Sequence, residues 1–353
     1  MEIKELLQDA AIRGASDIFL IGGLPLTYKI EGKQLRVNPE TRLMPSALNE
    51  LITELYAFVD RDITVFTSGC TEDDFSFAIP GCGRYRANVF RQRGSMSAVI
   101  RLIKFGVPDP AQYNIPKSVL SLAGLKDGLV LVTGPAGSGK TSTIACIIDE
   151  INKNYEKTII TMEDPIEIIH NHKKSIVIQR EISTDTESFM SALRASLRES
   201  PDVLLVGEMR DAETIEVAMT AAETGQLLFS SLHTRSAADT VDRIVDSFSD
   251  KQQPQIRAQL SRVLRSVICQ KLIPATNGKL VPAYEIMHVT PAIRNLIREG
   301  KTYQFNSFIQ EGSKLGMCSM NASLLRLYND GLIDADTALA NSEDPVSLEK
   351  KLK

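Results

Sequence analysis

The residues most able to do chemistry lie in Gly134-Pro135-Ala136-Gly137-Ser138-Gly139-Lys140-Thr141, which fits the phosphate-loop pattern G-x-x-x-x-G-K-[ST]. Its glycines let the backbone curl so that several N–H groups face phosphate oxygens, and a following helix adds the positive end of its dipole. In this pattern Lys140 reaches the β- and γ-phosphates of a nucleoside triphosphate, and the Thr141 hydroxyl ligates Mg²⁺. Four fixed positions arise by chance in roughly one chain in a hundred of this length. The context argues against chance: Gly128–Thr133 is a short β-branched apolar run that reads as a buried strand, and Ser142–Ile148 reads as the start of a helix.

Three more candidates stand at the ends of apolar runs. Lys157–Met162 reads as a strand and delivers Glu163-Asp164-Pro165, an acidic pair suited to positioning a water or a metal. A plain turn or helix cap would use Asp-Pro as well. Val203–Glu208 is an apolar strand ending in a carboxylate, the form of a Walker B element that sets one acid beside phosphate-bound Mg²⁺. Leu227–Leu232 leads to His233, one of four histidines, placed to sense or bridge phosphate; a purely structural histidine is the simpler account of it taken alone.

These residues need a scaffold that brings strand ends together. From Ser118 onward strands and helices alternate, which predicts an α/β domain with a mostly parallel sheet and helices on its faces. In such sheets the carboxyl ends of the strands face the ligand crevice. The spacing predicts helices over Ser188–Arg198, Ala212–Thr224 and Ala237–Asp246, and a strand at Ile176–Ile178. Beyond Gln255 the chain reads as mainly helical, with helices at Ile256–Cys269 and Pro291–Glu299 and a hairpin arm at Leu280–Met287.

Residues 1–104 read as a separate small α+β domain. Glu2–Ile12 and Pro45–Phe58 have helical spacing, and Glu31-Gly32 offers a turn. Asp17–Ile21, Leu26–Ile30, Phe75–Ile79, Arg84–Phe90 and Ser97–Ile103 read as strands of an antiparallel sheet. Arg84, Arg86, Arg91, Arg93 and Arg101 make its last part basic; a solvated sheet face accounts for them on the residues alone. Residues 105–117, with Pro108, Pro110 and Pro116, read as a linker, and 118–353 as the larger domain.

Composition narrows the class. The 353 residues are 43% hydrophobic and 24% charged, ordinary for a globular protein of one large domain or two. A net charge of −4 gives no support to nucleic-acid binding or to a DNA translocase. No apolar run approaches a membrane span and no basic-then-apolar leader opens the chain, so a cytoplasmic location is expected. The five cysteines, Cys70, Cys82, Cys146, Cys269 and Cys318, form no C-x-x-C pair, and the odd count favours reduced thiols.

The four stretches Gly134–Thr141, Thr161–Glu167, Pro201–Asp211 and Ser231–Ala238 occur in an order that resembles the secretion ATPases of type II secretion and type IV pili. They correspond to that family's Walker A, Asp box, Walker B and His box. Within the family the chain is similar to the pilus-retraction branch: it is short, it lacks the paired-cysteine zinc insertion, and Ala292–Lys301 looks like that branch's C-terminal signature. The resemblance implies a RecA-like P-loop domain behind a PAS-like N-terminal domain. It implies a homohexameric ATPase at the inner face of the cytoplasmic membrane, partnered by an inner-membrane pilus platform protein and by a paralogous retraction ATPase. It implies ATP held by Gly134, Pro135, Ala136, Gly137, Ser138, Gly139, Lys140, Thr141 and Ser142, and Mg²⁺ held by Thr141 and Glu208. Glu163 resembles the carboxylate that polarises the attacking water, Glu208 the Walker B acid and His233 the His-box histidine. Arginines of the small domain, Arg86 and Arg101 with Arg84 beside them, are implied to meet the γ-phosphate. Departures are Gln226, where the family often has histidine, and Phe19, where histidine is common; neither touches the phosphate or metal groups. Competing expectations are an assembly or type II secretion ATPase and a non-hydrolysing nucleotide-binding regulatory subunit.

Overall fold

The structure, a computed structural model, describes residues 2–352 apart from 31, 68, 70, 104, 105 and 210. The expectations that touched Glu31, Cys70 and Arg210 therefore fall outside the described residues. The chain divides into two compact units, Met1–Gly106 and Val107–Lys353.

The first unit is one antiparallel sheet packed against two long helices, with a further short one at Thr64–Thr67. Its strands are β1 Asp17–Leu20, β2 Thr27–Ile30, β3 Lys33–Arg36, β4 Glu72–Ile79, β5 Gly83–Gln92 and β6 Ser95–Ile103, in the order β3-β2-β1-β6-β5-β4. Helical spacing puts Ile3, Leu6, Leu7 and Ala10 on one face of Ile3–Ile12, and Leu48, Ile52, Leu55 and Tyr56 on one face of Pro45–Phe58. Both faces bury against Tyr85, Ala87 and Val89 of β5. Strict alternation then sends Arg84 and Arg86 to the opposite face of the sheet. The edge strand β3 was not anticipated; all four of its residues are exposed, so it carries no buried alternation to read.

The second unit is a seven-stranded sheet between two helical layers. Its strands are β7 Gly128–Thr133, β8 Thr158–Glu163, β9 Ile176–Glu181, β10 Val203–Val206, β11 Leu227–Leu232, β12 Leu264–Pro274 and β13 Leu280–His288. The order is β13-β12-β7-β11-β10-β8-β9, parallel throughout except between β12 and β13. Strand β7 is central: Leu129 and Leu131 feed one core, Val130 and Val132 the other. Burial on both faces is why it reads as an unbroken apolar run. Among the described residues no helix is long and apolar enough to cross a membrane.

The expected helix over Ile256–Cys269 is corrected. The helix is Gln253–Val263, and the chain then turns into β12. Residues 256, 260, 263 and 267 keep a helical apolar period, but Val267-Ile268-Cys269 pair with Leu131–Thr133 of β7 and with β13. Ladder pairing on both edges outweighs the local pattern. Within the expected linker, Ile115 is buried, Val107 packs on the second unit's core, and the Pro108 carbonyl accepts from Cys146 Sγ at 3.3 Å.

Candidate nucleotide site

Strand β7 hands the chain to the phosphate loop, and the helix Lys140–Asn154 follows with Gly139 at its N-cap. Two glycines here are sterically required. Gly134 sits at φ +143°, where an added Cβ would come within 2.2 Å of the Gln270 carbonyl oxygen. Gly139 sits at φ +87°, with a Cβ position 2.9 Å from Gln270 Nε2. Gln270, on β12, is buried, and its Oε1 accepts from Thr143 Oγ1 at 2.7 Å. The loop is thus backed by a residue that the sequence reading missed; its only signal was a polar residue inside the run Val267–Ile273.

Lys140 is buried and donates to the carbonyls of Gly134 at 2.9 Å and Pro135 at 3.0 Å, with His233 Nδ1 at 3.4 Å. Burial lowers its pKa, while Glu208 and Glu167 oppose that shift. Thr141 and Ser142 are half-buried in the helix's first turn, Pro135 to Gly137 are exposed, and Ser138 is buried, its Oγ without a hydrogen-bond partner among the described residues.

A cavity of about 290 Å³ opens over this loop, lined among others by Lys140, Thr141, Glu163, His170, Glu208 and His233. Parallel pairing explains the convergence: β8, β10, β11 and β7 all end at the same edge. Ser231 Oγ donates to the Gly207 carbonyl at 2.6 Å, and Gly207 N–H to the Met162 carbonyl at 2.8 Å, lacing three strand ends together. Glu208 Oε2 then lies 3.7 Å from His233 Nε2.

Glu163 closes β8 and is buried, with Oε1 accepting from Thr161 Oγ1 at 2.6 Å and from Gln179 Nε2 at 3.2 Å. Burial pushes its carboxyl up to about 7; the two hydrogen bonds oppose this, and Glu167 and Glu181 add to it. His170 is also buried, its pKa lowered to about 4 by burial, and its Nδ1 has no partner among the described residues. Nothing in the local pattern set His170 apart from an ordinary loop histidine.

The five residues Lys140, Thr141, Glu163, Glu208 and His233 therefore meet in one cavity of the second unit. Arg86 and Arg101 belong to the first unit, where they are register partners on β5 and β6. Arg86 pairs with Asp74 at 2.6 Å and Arg101 with Asp17 at 3.0 Å.

A phosphate loop entering a helix, flanked by two carboxylates and a histidine at neighbouring strand ends, defines a P-loop nucleotide-binding fold of the RecA-like kind. Residues 87–312 match the family model for the type II/IV secretion system protein. The chain is 44% identical over 345 residues to the type IV pilus retraction ATPase PilT of Pseudomonas aeruginosa, covering 98% of this chain and 99% of that protein. It is 40% identical over 348 residues to the twitching motility protein of Neisseria gonorrhoeae, covering 98% and 92%. The crystal structure of the pilus retraction motor PilT with bound ADP superposes with a TM-score of 0.91 at 46% identity, covering 99% of each chain. The chain belongs to the type II/IV secretion system protein family, as a nucleotide-binding ATPase.

Proposed function

We propose that this protein is an ATP-hydrolysing motor that drives disassembly, and hence retraction, of a type IV pilus. The observation that carries the reading is the meeting of Lys140, Thr141, Glu163, Glu208 and His233 in one cavity, within a chain similar over its whole length to a retraction ATPase. In this reading Lys140 leaves the Gly134 and Pro135 carbonyls and turns its ammonium to the β- and γ-phosphates, exchanging neutral acceptors for charged ones. Backbone N–H groups of the loop hold the same oxygens.

Glu163 orients the attacking water and takes its proton through the carboxylate oxygen that Thr161 and Gln179 leave open. A carboxyl raised to about 7 is poised for that transfer near neutral pH. His233, beside both Lys140 and Glu208, holds the two in register and can meet the developing charge. Mg²⁺ fits the donors present: Thr141 and Glu208 offer hard oxygens on one cavity, and this ion takes one or two protein ligands together with substrate phosphates. When bound it would neutralise phosphate charge.

The wider reading is a homohexamer in the cytoplasm, docked on an inner-membrane platform and sharing work with a paralogous ATPase. Arg86 and Arg101 of one subunit would complete the neighbour's site, and motion would come from hinge changes between the two units. An assembly or secretion motor would share the chemistry, but the full-length likeness and the helix Pro291–Glu299 with its Ala292–Lys301 signature favour retraction. Glu163 and Glu208 on the cavity count against a non-hydrolysing subunit.

The test is steady-state ATPase activity of purified protein across a concentration range, with light scattering on the same samples. Activity per chain is expected to rise as the hexamer forms, and Glu208→Gln to abolish turnover while retaining nucleotide. Full activity in a monomer, or in that variant, would overturn the proposal.

A further inference from the structure

Strand β9 carries no expected site residue, yet one of its side chains, Gln179, hydrogen-bonds three residues that line the active cavity, Glu163, Ile168 and His170. Gln179 stands directly opposite Thr161 in the β8–β9 register. Residues 161 and 163 share one face of β8, so Thr161, Glu163 and Gln179 come together. Every polar atom of the Gln179 carboxamide is engaged. Its Oε1 accepts the His170 backbone N–H at 2.8 Å; its Nε2 donates to the Ile168 carbonyl at 2.9 Å and to Glu163 Oε1 at 3.2 Å. The partners fix the amide orientation, because a flipped amide would set oxygen against oxygen at both Ile168 and Glu163.

We infer that Gln179 is the positioning residue for Glu163, pinning Oε1 so that Oε2 faces the attacking water, and coupling that carboxylate to the segment Ile166–His170 over the cavity. The second arm of the inference rests on where that segment sits. Ile168 and His170 line the same cavity as Glu163, and Ile166 N–H donates to Glu181 Oε2 at 2.9 Å, also on β9. One strand therefore holds both this segment of the cavity lining and the base, and the Gln179 carboxamide links the two side by side, in addition to the backbone through Asp164 and Pro165 and the Glu181 contact. Among the described residues no hydrogen bond engages Glu163 Oε2. Charged and titratable groups around Glu163 are Glu167 of the segment Ile166–His170, Glu181 of β9, and Lys140, Asp164, Glu208, His170 and His233 on the cavity; none donates to Oε1. Thr161 alone cannot fix the carboxylate, since a single hydrogen bond leaves it free to rotate about that contact.

The inference rests on Glu163 being the base, so the experiment separates the two. Single-turnover and steady-state ATP hydrolysis would be measured for Gln179→Met, Gln179→Glu, Glu163→Gln and the double variant Glu163→Gln/Gln179→Met, with ADP affinity and thermal unfolding alongside. Methionine keeps the shape and removes every hydrogen bond. Gln179→Glu keeps the acceptor for His170 and replaces the donor by a like charge. We expect kcat to fall roughly ten- to hundredfold in Gln179→Met, with KM and ADP affinity within twofold. Gln179→Glu should fall at least as far, and the Gln179 change should cost nothing further on top of Glu163→Gln. Near-normal kcat in Gln179→Glu would show that only the segment Ile166–His170 needs the side chain, and would overturn the inference. So would an equal fractional loss in both backgrounds. Undiminished turnover in Glu163→Gln, rather than a small residual rate, would instead overturn the assignment of Glu163 as base.

Discussion

Two glutamines, on opposite flanks of the same sheet, support the two halves of the site in different ways. Gln270 on β12 acts mainly by occupying space: its backbone oxygen and its amide fill the room that side chains at Gly134 and Gly139 would need. Gln179 on β9 acts by hydrogen bonds, orienting the buried Glu163 carboxylate. The first arrangement makes a rigid cradle for the phosphates that stay on the nucleotide, which keep their tetrahedral shape while the γ-phosphoryl group is transferred. The second holds a carboxylate whose charge state changes during the reaction, where orientation matters more than fit.

The sharpest way to break this contrast is Gly134→Ala. A Cβ 2.2 Å from a backbone carbonyl, at φ +143°, cannot be absorbed by a side-chain shift. We expect nucleotide binding to be lost, with a large drop in thermal stability. Gly225→Ala is the control: it also sits at positive φ, +107°, but nothing lies within 4 Å of its Cβ position. Its cost should be about 1–2 kcal/mol of backbone strain with nucleotide affinity kept. Equal effects of the two in calorimetry and unfolding would show that crowding by Gln270 is irrelevant.

The next effect is in pH. Burial raises Glu163 from the ordinary glutamate value near 4.5 to about 7, and raises Glu285, which accepts Ala237 N–H at 2.7 Å, likewise to about 7. Between pH 4.5 and 7 the folded protein keeps protons that the unfolded chain has lost, so stability falls as pH rises through that window and levels off above it. Glu163→Gln removes one of the two groups. At pH 8 it should raise stability by up to about 3 kcal/mol, while flattening the pH dependence and cutting turnover to a small residual rate. Denaturant unfolding at pH 5 and pH 8 checks this; a variant no more stable at pH 8 would place Glu163 in a wetter site than described.

Gln270→Ala should cost about 1–3 kcal/mol, because it leaves the buried Thr143 hydroxyl unpaired. Nucleotide affinity should weaken while kcat at saturation holds, the reverse of the pattern expected for Gln179. A kcat defect in Gln270→Ala would erase the distinction between the two flanks. The smallest effect concerns thiols. Burial raises Cys146 to about 12 and Cys269 well above its ordinary value, so neither should react with alkylating reagents at pH 8 until the chain unfolds. Prompt labelling of Cys269, which backs the phosphate-loop strand through Thr133 Oγ1 at 3.1 Å, would mean that the β12 flank opens readily.

Much of the site was legible before the fold. The phosphate loop announces itself because phosphate binding constrains glycines, a lysine and a hydroxyl within eight consecutive residues. Glu163, Glu208 and His233 were legible because buried parallel strands are continuous apolar runs, and the first polar residue after each run stands at the crevice edge. The helices Ile3–Ile12, Pro45–Phe58 and Pro291–Glu299 were legible from their apolar period and their Gly or Pro boundaries.

The tertiary structure alone decided the supports. Strand β12 looked helical because its apolar spacing fits both periods; its partners β7 and β13, far along the chain, settled the choice. Gln179 stands between the apolar run Ile176–Ile178 and the charged pair Arg180-Glu181, and Gln270 stands beside Lys271 within Val267–Ile273; neither is marked out by its neighbours, and both acquire meaning only from the strand paired beside them. What the sequence by itself determined is therefore the set of groups that touch nucleotide, since their chemistry is written in short local spacings. What only the structure decided is how those groups are held, because the supporting contacts join residues from 16 to more than a hundred positions apart, Gln179 to Glu163 and Gln270 to Thr143, through registers that no local pattern encodes.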